Sequence, residues 1–429
     1  MEFQVLKRSH LKRNIIIGVV VVAIITAIIL NFTRAKYRVT ESIPLVNGTI
    51  NYSLADLNII GLYIDGEEAE ELDSNKTYTL DTIQSTCTYK DGTEIENLNI
   101  SYDSETGGLS ISPYTTKGTK CTLYFNEQVF AKDTILANYP TVKTRTFPFT
   151  TSSKVEGNTT GTIYKSANSN QYDNDGEVYY FAGNPPDNWV KWAGFYWRII
   201  RINGNGSIRM IYQGTSPNTT GTGTQLQTSA FNAIPNYNRS EYVGLKYTTG
   251  SQHGTGSNST IMGVLNTWYN SKLASYADDI DTNVGFCSDR NMASGYSWSS
   301  QPSSTIYYAA YGRLVQSSSN VNPSFKCSNT SDILKIPVGL ITADEVVMAG
   351  LPWSGSTTSN YLYTGQHYWT MSPYWYSSGN AVVFYVASNG SFGSDDVYGS
   401  LGVRPVINLK SSVQITGGDG SSSNPYVIL

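Results

Sequence analysis

Trp192-Ala193-Gly194-Phe195-Tyr196-Trp197-Arg198-Ile199-Ile200-Arg201-Ile202 runs through Asn203-Gly204-Asn205-Gly206 into Ser207-Ile208-Arg209-Met210-Ile211-Tyr212. Two runs of β-branched and aromatic residues joined by Asn-Gly turn residues predict a β-hairpin, the strongest in the chain. Upstream, Tyr179-Tyr180-Phe181-Ala182-Gly183 reads as another strand. Downstream, Val382–Val386 and Val403–Leu409 do the same. Helical spacing is confined to two places. Ile261, Val264, Leu265, Trp268 and Leu273 predict a helix over 261–276 behind a Ser/Thr cap. Thr342-Ala343-Asp344-Glu345 predicts a capped short helix that Gly350 stops. The region is therefore α+β with strands dominant.

The segment Tyr368–Leu409 stands out within it. Hydrophobic brackets, Tyr368-Trp369-Thr370-Met371-Ser372-Pro373 and Gly402-Val403-Arg404-Pro405-Val406, enclose aromatic and small polar residues. Large rings of low conformational cost beside adaptable small polar groups suit recognition rather than catalysis. The residues expected to contact a ligand are Tyr374, Trp375, Tyr376, Ser377, Ser378 and Asn380, with Ser391, Ser394, Asp395, Asp396, Tyr398 and Ser400. Alternation along a strand predicts at least one exposed ring among Tyr374, Trp375 and Tyr376.

Working towards the N-terminus, residues 131–175 read as a linker, with a short helix near 133–138 and then a Ser/Thr/Asn/Gly-rich stretch. Residues 39–130 predict a small β module, sandwich-like, with Asp65-Gly66, Asp91-Gly92 and Gly107-Gly108 as turns. The four cysteines fall in two well-separated pairs, read as Cys87–Cys121 and Cys287–Cys327 disulfides. Ile15–Leu30 is one apolar run, expected as a membrane anchor ending a 1–38 tail. Residues 1–38 carry seven Lys/Arg and one Glu. Flanking charges favour a cytoplasmic N-terminus and extracellular C-terminal domains. A cleaved leader ending near Thr33-Arg34-Ala35 is the alternative. The rest of the chain has net charge −10, which excludes the basic footprint that nucleic acid requires.

The segments Asn188–Gly204, Ile336–Gly350 and Tyr368–Leu409 resemble an uncharacterised group of surface proteins of gut Firmicutes and Mollicutes-related bacteria. The C-terminal part, 176–429, is also similar to the C-type-lectin-like fold of formylglycine-generating-enzyme-like domains and of variable proteins of diversity-generating retroelements. That resemblance implies a single-pass surface protein binding a protein or glycan, adhesin-like. It leaves two rivals, a formylglycine-generating-type enzyme and a structural envelope protein. The calcium-lectin triplets are missing: Gln301-Pro302-Ser303 lacks the acid.

Catalytic signals are sparse. His253 and His367 are the only histidines beyond His10. His253 reads as a solvated loop residue and His367 as a strand-edge one, and neither a Gly-x-Ser-x-Gly nor a His-Glu-x-x-His motif is present. No cofactor is expected. Calcium has two candidate acidic runs, Asp278–Asn283 and Asp173–Glu177, neither with EF-hand spacing.

Overall fold

The computed structural model describes the backbone of residues 44–46 and 48–49, and residues 57–428 apart from 105, 113–117, 146–147 and 153–160. The expected anchor, Ile15–Leu30, lies outside the described residues. Among the described residues no helix is long and apolar enough to cross a membrane. The chain is mostly β with few helices, and it divides into two compact units, Met1–Gln128 and Val129–Leu429.

In the first unit the strand Thr119–Gln128 is central. It runs parallel to Leu57–Ile64 on one side and antiparallel to Thr77–Leu80 and Thr86–Tyr89 on the other. Its burial alternates, placing Cys121, Leu123 and Phe125 on a face packed with Leu62, Tyr78, Ile100 and Ile111. Asn99–Asp103 and Gly108–Ser112 form a separate hairpin. Cys87 and Cys121 are directly opposed on neighbouring antiparallel strands, with Cα atoms 4.1 Å apart. The bridge therefore locks two strands of one sheet. It does not stitch two sheets together, as the sandwich reading expected. Direct cross-strand opposition places Cβ atoms within reach of each other, whatever the sheet count.

The second unit is built on the predicted hairpin. Phe195–Ile202 pairs antiparallel with Ile208–Gly214, and every residue from Ile208 to Gly214 is buried. Such a run does not alternate because both faces are covered. Val406–Leu409 adds to the Ile208–Gly214 edge, while Tyr179–Ala182 and Trp189–Trp192 flank Phe195–Ile202. The segment expected as a linker joins this sheet: Thr162–Lys165 pairs with Tyr179–Ala182, and Lys143–Thr144 pairs with Thr162–Lys165. Strands of two to four residues are too short to display a period, so composition alone read as loop.

The helices sit near their predicted places. Thr260–Lys272 starts at Ser259, whose side chain accepts from the Met262 N–H at 3.3 Å. Ala343–Met348 has a full capping box between Thr342 and Glu345, and Gly350 follows at φ 94°. Ala131–Ala137 is helical. Ala309–Leu314 is a further short helix that periodicity did not reveal. The second disulfide, Cys287–Cys327, is formed as expected.

Candidate functional site

A second sheet carries most of the Tyr368–Leu409 segment. Tyr368–Ser377 pairs antiparallel with Asn380–Val386, which pairs with Phe392–Asp396. On the far side of Tyr368–Ser377 lies Ile306–Tyr307, with Tyr307 opposite Trp375. Ser378 and Gly379 form the tight turn, at φ 52° and 84°, the positive-φ pair that a two-residue hairpin needs.

The brackets of the segment are internal scaffolding. Arg404 is fully buried. Its guanidinium donates to the carbonyl of Tyr212 at 3.0 Å and to Gln213 Oε1 at 2.6 Å, and it stacks 4.6 Å above the Tyr368 ring. It thereby ties the C-terminal segment to the central hairpin. Burial lowers its pKa, opposed by the neighbouring Tyr368 hydroxyl. The short helix Ala343–Met348 is buried throughout. Its Glu345 takes Arg201 at 3.0 Å and Arg209 at 2.5 Å, and its Asp344 takes Arg313 at 2.7 Å. Burial would raise the Glu345 pKa, but the Arg209 and Arg201 guanidiniums outweigh it and hold the carboxyl below its ordinary value.

The predicted contact residues separate on this frame. Tyr374 and Tyr376 are buried, at 6% and 4% exposure, and Trp375 is half-buried. Tyr376 donates its hydroxyl to the Asn238 carbonyl at 3.0 Å. It thus belongs to the packing rather than to the expected surface. Ser391 is also buried, and its hydroxyl closes a turn onto Asn389 Oδ1 at 2.8 Å. Ser377 is half-buried and shares a 2.7 Å hydrogen bond with Thr305. Ser378, Tyr398 and Ser400 are exposed, and Asn380, Ser394, Asp395 and Asp396 are half-buried.

The hairpin tip brings together Ser378, Asn380, Asp396 and Tyr398. Asp396 pairs with Val382 beside the turn, and the Tyr398 hydroxyl donates to Asp396 Oδ2 at 3.0 Å. Ser391 lies at the other end of its strand and Ser400 on another strand, opposite Ala230. Cross-strand register places Asp395 and Asp396 on opposite faces. Burial raises the Asp395 pKa, opposed by the Asp396 backbone N–H that it accepts.

Tertiary packing assembles a feature that the sequence reading did not include. Tyr296, Tyr307, Tyr311 and Trp353 gather with Trp375 around the buried ring of Tyr374. Tyr307 stacks on Tyr311 at 4.0 Å and meets Trp375 at 5.5 Å and Tyr296 at 5.1 Å. Tyr374 stacks on Trp375 at 4.8 Å and touches Trp353 at 5.6 Å. All but Tyr374 are half-buried. The phenol oxygens of Tyr296, Tyr307 and Tyr311 make no hydrogen bond among the described residues. Burial raises the Tyr307 pKa and pushes Tyr374 up to about 12, so both hydroxyls stay protonated donors at neutral pH. The available signal was Tyr307 and Tyr311 at a four-residue spacing across a helix start. A helix of only six residues is too short to show a period.

Elsewhere the candidate chemistry is committed. Asp173 pairs with Arg201 and accepts the Asp175, Gly176 and Gly204 N–H groups. Asp281 accepts from Asn205 and from the Asn283 N–H. Among the described residues no group of three His, Cys, Asp or Glu side chains converges to hold a metal ion. His253 is not simply solvated: its Nδ1 lies 3.1 Å from Asp332 Oδ1, a buried carboxylate already paired with Arg290. His367 is exposed and lies 3.2 Å from the Ser388 hydroxyl.

A family described as a domain of unknown function (DUF6273) matches residues 344–411. That span runs from the buried Asp344 and Glu345 through the second sheet and past Arg404. No curated protein and no solved structure matches the chain.

Proposed function

We propose that this is a membrane-anchored, extracellular ligand-binding protein, adhesin-like, that recognises a protein or glycan through aromatic rings of its C-terminal unit. In this reading Ile15–Leu30 is the anchor, the N-terminus is cytoplasmic, and Val129–Leu429 holds a C-type-lectin-like domain. The observation that carries it is the cluster of half-buried rings at Tyr296, Tyr307, Tyr311, Trp353 and Trp375, whose phenol oxygens make no hydrogen bond among the described residues. Rings fixed by their neighbours lose little entropy on binding, and unspent hydroxyls add directional bonds. Ser394 flanks the cluster, opposite Phe384, whose ring lies 4.7 Å from Tyr374.

The closed Cys287–Cys327 bridge weighs against the formylglycine-generating type, which needs reactive thiols. The test is glycan-array and pull-down binding by the full-length protein and by Tyr307→Ala and Trp375→Ala. At least a tenfold loss for both variants, with folding retained, is expected. Unchanged binding by both would remove the site.

A further inference from the structure

A second groove lies away from the ring cluster, between the helix Thr260–Lys272 and the segment Gln225–Gln227. Its volume is about 630 Å³, inside the range of roughly 300–1,000 Å³ common for ligand sites. One wall is aromatic. Phe195 and Trp268 are half-buried, 5.6 Å apart, and both rings rest on Tyr212 at 5.6 and 5.7 Å. The helix side is kept low by Gly263, where an added Cβ would meet nothing within 4 Å.

The polar groups are neutral amides and hydroxyls: Gln225, Gln227, Thr260 and Thr267. Lys272 is the one charge among the described lining residues. Gln225 is nine-tenths buried, and its side-chain oxygen lies against Gly402, out of reach of the groove; the exposed Gln227 is the amide most open to a ligand.

We infer that this groove is a saccharide-binding site that holds pyranose rings against Phe195 and Trp268. The C–H face of a sugar ring stacks on an aromatic face, while its hydroxyl edge exchanges hydrogen bonds with amides. A peptide adding as a strand is disfavoured, because the local backbone is already paired. The Leu226 N–H donates to the Val403 carbonyl, and the Val403 N–H donates to the Gln227 carbonyl, both at 2.9 Å. The absence of carboxylates from the described lining allows neutral and acidic sugars alike. This inference does not rest on the ring cluster around Tyr374.

The test labels the full-length protein with 5-fluorotryptophan and assigns the Trp268 resonance by Trp268→Phe. Cellotetraose, mannotetraose, chitotetraose and tetragalacturonate are titrated in turn. At least one should shift the Trp268 resonance saturably. Gly263→Leu, which fills the groove from an exposed helical position, should weaken that binding at least tenfold without lowering the melting temperature. Tyr307→Ala should leave it unchanged, which separates this site from the ring cluster. The inference is overturned if none of the four shifts Trp268, if Gly263→Leu leaves the titration intact, or if only a proline-rich decapeptide shifts it.

Discussion

The two halves of the strand Tyr368–Ser377 contain the same kinds of residue and put them to opposite uses. In the first half every polar group is spent inside the protein. Tyr368 donates to the Leu362 carbonyl at 2.8 Å, the Trp369 indole to the Ser229 carbonyl at 2.9 Å, and Thr370 to the Phe384 carbonyl at 2.8 Å. Arg404 covers the Tyr368 ring. In the second half Tyr376 is likewise spent, on the Asn238 carbonyl, but Tyr374 and Trp375 lean on Tyr307, Tyr311 and Trp353, and the phenol oxygens of Tyr307 and Tyr311 make no hydrogen bond among the described residues. An aromatic residue becomes framework or contact surface according to whether its polar atom has an internal partner, not according to its type.

The most severe way to break that contrast is to remove the framework. Glu345→Ala strands two buried guanidiniums and should cost ~3–5 kcal/mol in denaturant unfolding. The same carboxylate sets a pH dependence. Its folded pKa lies below the ordinary 4.5, so its contribution is complete above that value and fades as pH falls through the folded value. Glu345→Gln should flatten the acid limb of stability measured between pH 2 and pH 5. A steeper limb in the variant would contradict the pairing with Arg201 and Arg209.

Replacing either cysteine pair by serine comes next. Sequence separations of 34 and 40 give ~4 kcal/mol for each bridge on the loop-entropy account. Thermal unfolding of each double variant measures this separately.

Smaller effects sharpen the contrast on the contact side. Trp369→Phe deletes a spent donor and Tyr307→Phe an unspent hydroxyl. The first should destabilise by about 1 kcal/mol, through the lost bond to the half-buried Ser229 carbonyl. The second should leave stability within about 0.5 kcal/mol and appear only in ligand affinity. Equal losses of stability would erase the distinction drawn between the two halves. The smallest effect is at the turn. Ser378→Asn suits the positive φ of 52° and should stabilise by a few tenths of a kcal/mol, roughly, because Asn tolerates the left-handed region better.

Much of the frame was legible along the chain. The Phe195–Tyr212 hairpin, the Ser259-capped helix, the Thr342–Glu345 capping box and both cysteine pairs are local signals, each complete within a few residues or a simple pairing. The candidate surface was only partly legible. Trp375, Ser378 and Tyr398 retain exposure, whereas Tyr374, Tyr376 and Ser391 are buried, Tyr376 with its hydroxyl on the Asn238 carbonyl, a group distant in sequence. Tyr296, Tyr307, Tyr311 and Trp353 were not named, because nothing within their own segments marks them as neighbours of Tyr374.

The amino-acid sequence by itself thus determined the strands, the caps, the turn residues and the aromatic supply, since these depend on backbone preference and short-range periodicity. Only the tertiary structure decided which rings face outward with free hydroxyls and which lie under Arg404. That outcome depends on cross-strand register and on partners far along the chain, such as Ser229, 140 residues from Trp369, and Tyr212, 192 residues from Arg404.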